Sequence, residues 1–396
     1  MQTTAGPLPG SRSGPLDGLR VLDLSRLLPG PFCTLILSDL GARVDKLEDP
    51  HAGDYLRLIY PSKDGLSGRF IAINRDKRSL CLDLKKPEGR AAFLRILPRY
   101  DVVVESFRPG VLDRLGVGFA AMQQQNPRVV LCSISGYGQS GPYRDRAGHD
   151  INYIALAGVL GMTGPAGGDP VLPGVQTADI AGGALWGAVG ILAALLEARS
   201  TGRGSLVDVS MCEGALAFML PDLGNYAVGA PEPTRGETNL NGGFGCYGVY
   251  RTRDGRHLAV GSLEPKFWAA FNAAIGRASD FSELVAPPPE QARVRREVQA
   301  ILETKTRDEW EAIFAGTDAC VEPVLAASEL SRHPQHAARE LFFRIGEYEQ
   351  IHTPTAVRGL PHTPPPTLGQ HSADILGEAG LDEAEIAALQ RAGATK

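Results

Sequence analysis

A mainly parallel, doubly wound α/β sheet followed by a smaller α/β unit is the fold predicted for this 396-residue sequence. Three observations predict it. Short apolar runs alternate with helical stretches through the first half, which implies right-handed crossovers between parallel strands. From Asn152 the pattern shifts to long helices. A polar, Pro- and Gly-containing stretch, Pro231 to Asn241, then reads as a linker into a second strand-and-helix unit. Residues 1–230, completed by 340–396, are therefore expected to form a large domain, and residues 231–339 the linker and small domain.

The lead-in Met1 to Pro15 is rich in Gly, Pro and Ser and is expected to be loose. Strands are expected at Leu19–Leu24, Val44–Leu47, Ser79–Leu84, Asp101–Phe107 and Val129–Ser135, each a short apolar run. Pro29–Leu40 and Pro87–Leu97 read as helices with proline in the first turn, where its missing N–H costs nothing. Helices follow at Asn152–Leu160, Ile180–Arg199 and Cys212–Tyr226, with a strand at Leu206–Met211 between the last two. In the second unit, strands are expected at Gly248–Arg251, His257–Gly261 and Val321–Leu325, with helices at Pro265–Ile275 and Arg293–Glu303. After Arg339 the chain turns Pro-rich and is expected to run extended back to the first domain, before a last helix at Asp382–Arg391.

Composition narrows the function. The chain is 43% hydrophobic and 21% charged, with a formal net charge of -5, so it lacks the concentrated basic face that nucleic-acid binding requires. Six cysteines (33, 81, 132, 212, 246 and 320) show no metal-binding spacing and are expected to be reduced core residues of a cytoplasmic protein. The apolar stretch Ile180–Leu196 is 17 residues long and holds four glycines, which suits a buried core helix better than a membrane span. No P-loop, G-x-S-x-G elbow or zinc helix is present, and the eight histidines are too dispersed to suggest a metal site.

Two residues stand out chemically. His149, in Ala147-Gly148-His149-Asp150, and Asp179, in Ala178-Asp179-Ile180-Ala181-Gly182-Gly183, are the types needed to remove a proton from one side of a carbon and return it from the other. Asp179 opens a long apolar helix, whose dipole is expected to favour its charged form. Each has a structural alternative: His149 bonding its own turn, Asp179 acting as a helix N-cap. Glu264, just ahead of Pro265 at a helix start, has capping as its structural role. Gly243-Phe244-Gly245-Cys246-Tyr247-Gly248 matches G-x-G-x-x-G by letter, but it follows a linker and leads into a strand. It is read as a loop that covers a site or connects domains.

Collinear motifs run from Leu16-Asp17-Gly18-Leu19-Arg20-Val21-Leu22-Asp23 through Ser38-Asp39-Leu40-Gly41-Ala42, Glu105-Ser106-Phe107-Arg108-Pro109-Gly110, Ala147 to Tyr153 and Thr201-Gly202-Arg203-Gly204 to Thr367-Leu368-Gly369-Gln370-His371. In these the chain resembles the family III CoA-transferase superfamily of the CaiB/BaiF type, and within it the α-methylacyl-CoA racemases. The resemblance implies a Rossmann-like large domain built from both ends of the chain, a small domain and an interlocked homodimer. It also implies an acyl-CoA thioester as ligand, with no metal and no separate cofactor, and neither a membrane nor a nucleic acid as partner. By position it assigns catalysis to His149, Asp179 and Glu264, the last supporting His149. CoA contacts fall on Leu82, Asp83, Leu84, Lys85, Glu105, Phe107, Arg108, Arg114, Gly148, Asp150 and Tyr153. Asp49 stands where racemases can carry an arginine, so Arg57 or Lys46 is expected to supply that phosphate contact. Backbone N–H groups near Gly148 or at the Asp179 helix start are expected to hold the enolate oxygen. Two other readings remain open at this point: a CoA-transferase with Asp179 as nucleophile, and a CoA-thioester-binding protein without turnover.

Overall fold

The computed structural model describes residues 14–63 and 65–396, so all but the end of the expected lead-in lies outside the described residues. These residues divide into two compact units. The first comprises residues up to Ala157, Val175–Ala217 and Ala338–Lys396; the second, Gly158–Gly174 and Phe218–Ala337. Pro231–Asn241 therefore lies inside the second unit, not at its border.

The first unit is built on six strands: β1 (Arg20–Asp23), β2 (Arg43–Glu48), β3 (Lys77–Cys81), β4 (Val102–Glu105), β5 (Val130–Ser135) and β6 (Leu206–Ser210). All neighbours pair parallel, in the order β3-β2-β1-β4-β5-β6. This is the doubly wound order 3-2-1-4-5-6, in which the direction of winding reverses between β1 and β4. The strands read as short apolar runs because the sheet is covered on both faces. Helix α1 (Pro29–Asp39) packs on β1 and β2, and α2 (Pro87–Ile96) joins the core of Leu22, Leu47, Leu80, Phe93, Val103 and Leu131. The C-terminal helices Ser372–Glu378 and Glu383–Arg391 add Ile375, Leu376 and Leu389 to that same core. The segment after Arg339 is not simply extended. It forms a hairpin, Phe342–Ile345 with Tyr348–Ile351, which belongs to the first unit.

Helix α3 (Asp150–Leu156) precedes the longest helix, α4, which runs from Ala178 to Thr201 and opens with a π-helical segment, Ala178–Leu185. The π segment owes its place to glycine. A Cβ on Gly214, in α5 (Met211–Leu216), would lie 2.0 Å from the Gly182 carbonyl oxygen, so the two backbones touch with nothing between them. Alanine at either position would push them apart. α4 buries one face, including Gly187, Ile191, Ala194 and Ala198, against the unit. The opposite face leaves Leu185, Trp186, Val189 and Leu196 exposed, so the expected core helix is only half buried.

A network of buried charges lies under the carboxyl end of β1. Asp23 accepts hydrogen bonds from the Ser25 amide and hydroxyl and from Thr34 Oγ1 (2.6 Å), and pairs with Lys77 Nζ at 3.1 Å. Lys46 pairs with Asp54 at 3.0 Å and donates to the Ser25 carbonyl at 2.7 Å. All four charged side chains are fully enclosed.

The second unit has a three-stranded antiparallel sheet, β7 (Tyr247–Arg251), β8 (His257–Gly261) and β9 (Val321–Pro323), in the order β9-β8-β7. Its core stacks Trp268 on Phe271, and Phe271 and Trp310 on Phe314, with Val294, Val298 and Leu302 from the helix Pro288–Leu302. Gly243–Gly248 leads into β7, as read from the sequence. It is pinned: Arg295 Nη1 donates to the Gly242 carbonyl at 2.5 Å, and the Gly245 amide donates to Gln291 at 2.9 Å. The loop edges a cleft of about 910 Å³ within this unit.

Candidate active site

The carboxyl ends of β1, β4 and β5 open into a cleft of about 800 Å³ in the first unit. It sits at the winding reversal, where open α/β sheets bind their ligands. Arg26 and Leu27 follow β1, Ser106 to Pro109 follow β4, and Gly136 and Tyr137 follow β5; His149 and Asp179 line the same space. The Arg26 amide donates to Ser106 Oγ at 3.1 Å, tying the two diverging loops together. The Arg26 guanidinium lies 5.2 Å from the Phe107 ring centroid and 5.3 Å from that of Tyr55.

His149 stands at the N-cap of α3 with extended backbone, and its amide donates to Asn152 Oδ1 at 3.0 Å. The turn before it is held by Tyr153, whose hydroxyl donates to the Gly148 carbonyl at 2.6 Å and whose ring meets Tyr137 edge-on at 5.1 Å. A Cβ on Gly148 would lie 2.7 Å from the Tyr153 ring, so only glycine permits this turn. These contacts leave the imidazole exposed to the cleft.

Asp179 is the second residue of the π segment and is not its N-cap, the position held by Thr177. Burial raises its carboxyl to about 6; the negative charge of Asp150 adds to the rise and His149 opposes it. The expectation that the helix dipole would favour the charged form is thus reversed. A dipole at a helix start contributes roughly 0.3–1 kcal/mol, and partial burial beside a second carboxylate outweighs it. Of the amides at this helix start that were expected to hold the enolate oxygen, the Asp179 N–H is donated to Asp150 Oδ1 at 2.9 Å.

Of the expected CoA contacts, Phe107, Arg108, Gly148 and Tyr153 line the cleft. Leu82 and Leu84 point into the core, and Asp83 is buried, its carboxylate accepting the Lys85 amide at 2.9 Å. Lys85 is exposed and reaches to 3.8 Å from Asp49. Glu105 is buried, accepting from the Phe107 amide at 2.7 Å, and burial raises its carboxyl to about 7. It faces a small cavity of about 70 Å³ shared with Arg108, outside the main cleft. Arg57 corrects the expectation outright. Its guanidinium is buried, bonded to both Glu48 oxygens (2.7 and 2.8 Å) and to the Pro366 carbonyl (2.9 Å), and stacked 4.0 Å from the Phe70 centroid. Lys46, enclosed with Asp54, is likewise withheld from any phosphate. Glu264 lies in the second unit, exposed at the N-cap of the helix Pro265–Ala274, and its side chain makes no capping bond.

Sequence reasoning missed Arg26, Arg144 and Arg146, which line the cleft with Arg108. Arg114 stands nearby. The position of a Cβ on Gly110 is 3.3 Å from Arg114 Nη1 and 3.2 Å from Arg144 Nη2, so two guanidinium groups converge on the bare glycine. Among the described residues, none of these five arginines pairs with a carboxylate, which leaves their charge for an anionic ligand. The rule that ligands gather where β1 and β4 diverge was the available signal for Arg26. One trio of potential metal ligands also converges, Asp39, Asp76 and His362. The Arg75 guanidinium already lies on both carboxylates, 2.6 Å from Asp39 and 3.8 Å from Asp76, so the cluster is an internal ion-pair group.

Residues 16–372 match the CoA-transferase family III, and the chain belongs to that family. It is 38% identical to the human α-methylacyl-CoA racemase over 378 residues, covering 94% of this chain and 95% of that protein. It is 33% identical to the human succinyl-CoA:glutarate CoA-transferase over 398 residues, covering 96% and 89%. Among solved structures it resembles a CaiB/BaiF family protein from Brucella suis, with a TM-score of 0.80 and 30% identity over 92% of this chain and 99% of that one.

Proposed function

We propose that the protein is a racemase or epimerase of 2-methyl-branched acyl-CoA thioesters. The observation that carries this reading is the presence of His149 and Asp179 on one cleft at the sheet's winding reversal. The five unpaired arginines would take the phosphates of CoA. The thioester would lie with C2 between the imidazole and the carboxyl. One group removes the α-proton and the other returns one from the opposite face, the roles exchanging with the hand of the substrate. Backbone donors at the Gly148 turn would stabilise the enolate oxygen, a contribution of roughly 10²–10³ in rate per donor. CoA is part of the substrate, and the proton transfer asks for no metal or redox cofactor. Six free cysteines suit a reducing compartment, the cytoplasm.

The homodimer belongs to this proposal. The exposed stripe of Leu185, Trp186, Val189 and Leu196 on α4 is an apolar face of the kind that a second copy would bury. Sedimentation of the wild type is expected to give twice the chain mass, and Trp186→Glu with Val189→Glu to shift it toward one chain. A monomeric wild type would contradict the dimer.

The second reading, a CoA-transferase with Asp179 as nucleophile, is favoured by the likeness to transferases at 33% identity. It differs in covalency: Asp179 would form an acyl intermediate that hydroxylamine traps. Incubation with a 2-methylacyl-CoA and hydroxylamine is expected to leave activity intact. Substrate-dependent inactivation, with one modification at Asp179, would establish the transferase reading instead.

A further inference from the structure

Asp150 was expected among the CoA contacts, yet it does not line the cleft. Its Oδ1 accepts the backbone N–H of Asp179 at 2.9 Å. This bond joins the first residue of α3 to the π segment, so the turn that carries His149 and the turn that carries Asp179 are fastened by one side chain. A π-helical segment is an irregularity often found at functional sites. Its first turn has orphan amides that need an acceptor, and here Asp150 supplies one.

The same carboxylate also acts electrically. Elements packed against the π segment bring several titratable or charged groups: Asp150 and Tyr153 of α3 with its cap His149, Cys212 and Glu213 of α5, Cys33 and Asp39 of α1, Cys132 of β5, Asp208 of β6, and Glu197 and Arg199 farther along α4. Of these, Asp150 and His149 bear on Asp179, Asp150 favouring the protonated form and His149 the ionised one. Tyr153 feels both carboxylates, and its phenol is pushed upward, first by burial. Asp179 combines partial burial with a neighbouring negative charge, and its carboxyl receives no hydrogen bond from the described residues. An ordinary carboxylate is a weak base toward a thioester α-proton; one whose affinity for protons is raised toward the working pH is a better one.

We propose that Asp150 is a positioning residue of this site: it anchors the first turn of α4 through the Asp179 amide, and its charge beside Asp179 makes that carboxyl a stronger base. The inference rests on Asp179 being the reacting carboxyl, whichever reaction it performs. The test compares wild type with Asp150→Asn, which keeps an oxygen acceptor and removes the charge, and with Asp150→Ala, which removes both. Carbon NMR of protein labelled at aspartate Cγ follows Asp179 ionisation directly, its signal identified by Asp179→Asn. Deuterium exchange at C2 of a 2-methylacyl-CoA gives kcat/KM from pH 5 to 8. In Asp150→Asn the Asp179 titration and the acid limb of kcat/KM are expected to move down together, by about half to one pH unit. In Asp150→Ala, kcat at pH 8 is expected to fall by roughly tenfold with KM within about twofold, as for loss of an interaction that acts in the transition state. A role confined to helix packing would leave the titration unmoved. Identical Asp179 titration in wild type and Asp150→Asn overturns the proposal. A moved titration in a protein whose wild type exchanges no deuterium supports it and rejects only the racemase reading.

Discussion

Replacing Asp179 by alanine is expected to lower racemisation by about 10²–10⁴-fold, the usual contribution of one acid–base group. CoA-thioester affinity should stay within a few-fold, because the arginines and Phe107 that would hold the CoA portion are untouched. His149→Ala should be equally damaging. The pair differ in what survives. With one base left, a substrate of the matching hand can still lose its α-proton, so residual deuterium exchange is expected from opposite enantiomers in the two variants. Chiral chromatography with mass spectrometry of the recovered thioester reads this directly. Loss of activity in Asp179→Ala alone, with His149→Ala unaffected, is the pattern of a nucleophilic carboxylate and would count against two-sided proton transfer.

Asp23→Ala is expected to destabilise the first unit by roughly 3–5 kcal/mol, the range for removing one partner from a buried ion pair. Burial alone would push the Asp23 carboxyl up, but Lys46, Lys77 and the hydroxyls of Ser25 and Thr34 outweigh it and hold the group well below the usual carboxylate range. Alanine leaves Lys77, which is fully enclosed, without its carboxylate partner. A folded-state value this depressed contributes stability that is complete above about pH 4 and drains away as the solution is acidified further. Urea unfolding at pH 7 is expected to show the full loss, and unfolding near pH 3 a smaller difference between variant and wild type. Thr34→Val, which removes one hydrogen bond to Asp23 (2.6 Å), should cost only about 1 kcal/mol and stay folded. Because Asp23 also fixes Ser25, next to Arg26, Thr34→Val is expected to weaken CoA binding modestly. An Asp23→Ala protein as stable as wild type would contradict this account of the network.

What could be read without coordinates follows from how local each signal is. The parallel strands were legible because burial on both faces leaves short apolar runs, and β8 falls at His257–Gly261 as expected. The helix Pro288–Leu302 begins five residues before the expected Arg293, with Pro288 and Pro289 in a first turn that needs no N–H. The Phe342–Ile351 hairpin was hidden in a stretch judged by its prolines. At the site, His149 and Asp179 were legible from residue type and setting, and the structure gives them one cleft. Arg57 misled because its partner Glu48 and the Pro366 carbonyl, far along the chain, are brought to it only by folding. The Asp150 bond to the Asp179 amide spans 29 residues, and no local pattern announces it.

The most direct measurement is incubation of the purified wild type with one enantiomer of a 2-methylacyl-CoA in deuterated water, with no acceptor acid present. Deuterium at C2 and the enantiomer ratio are followed together. The account predicts that deuterium enters as optical purity is lost, ending at an equal mixture labelled at C2. Retained chirality without deuterium, with CoA moving only once a second acid is added, would contradict it.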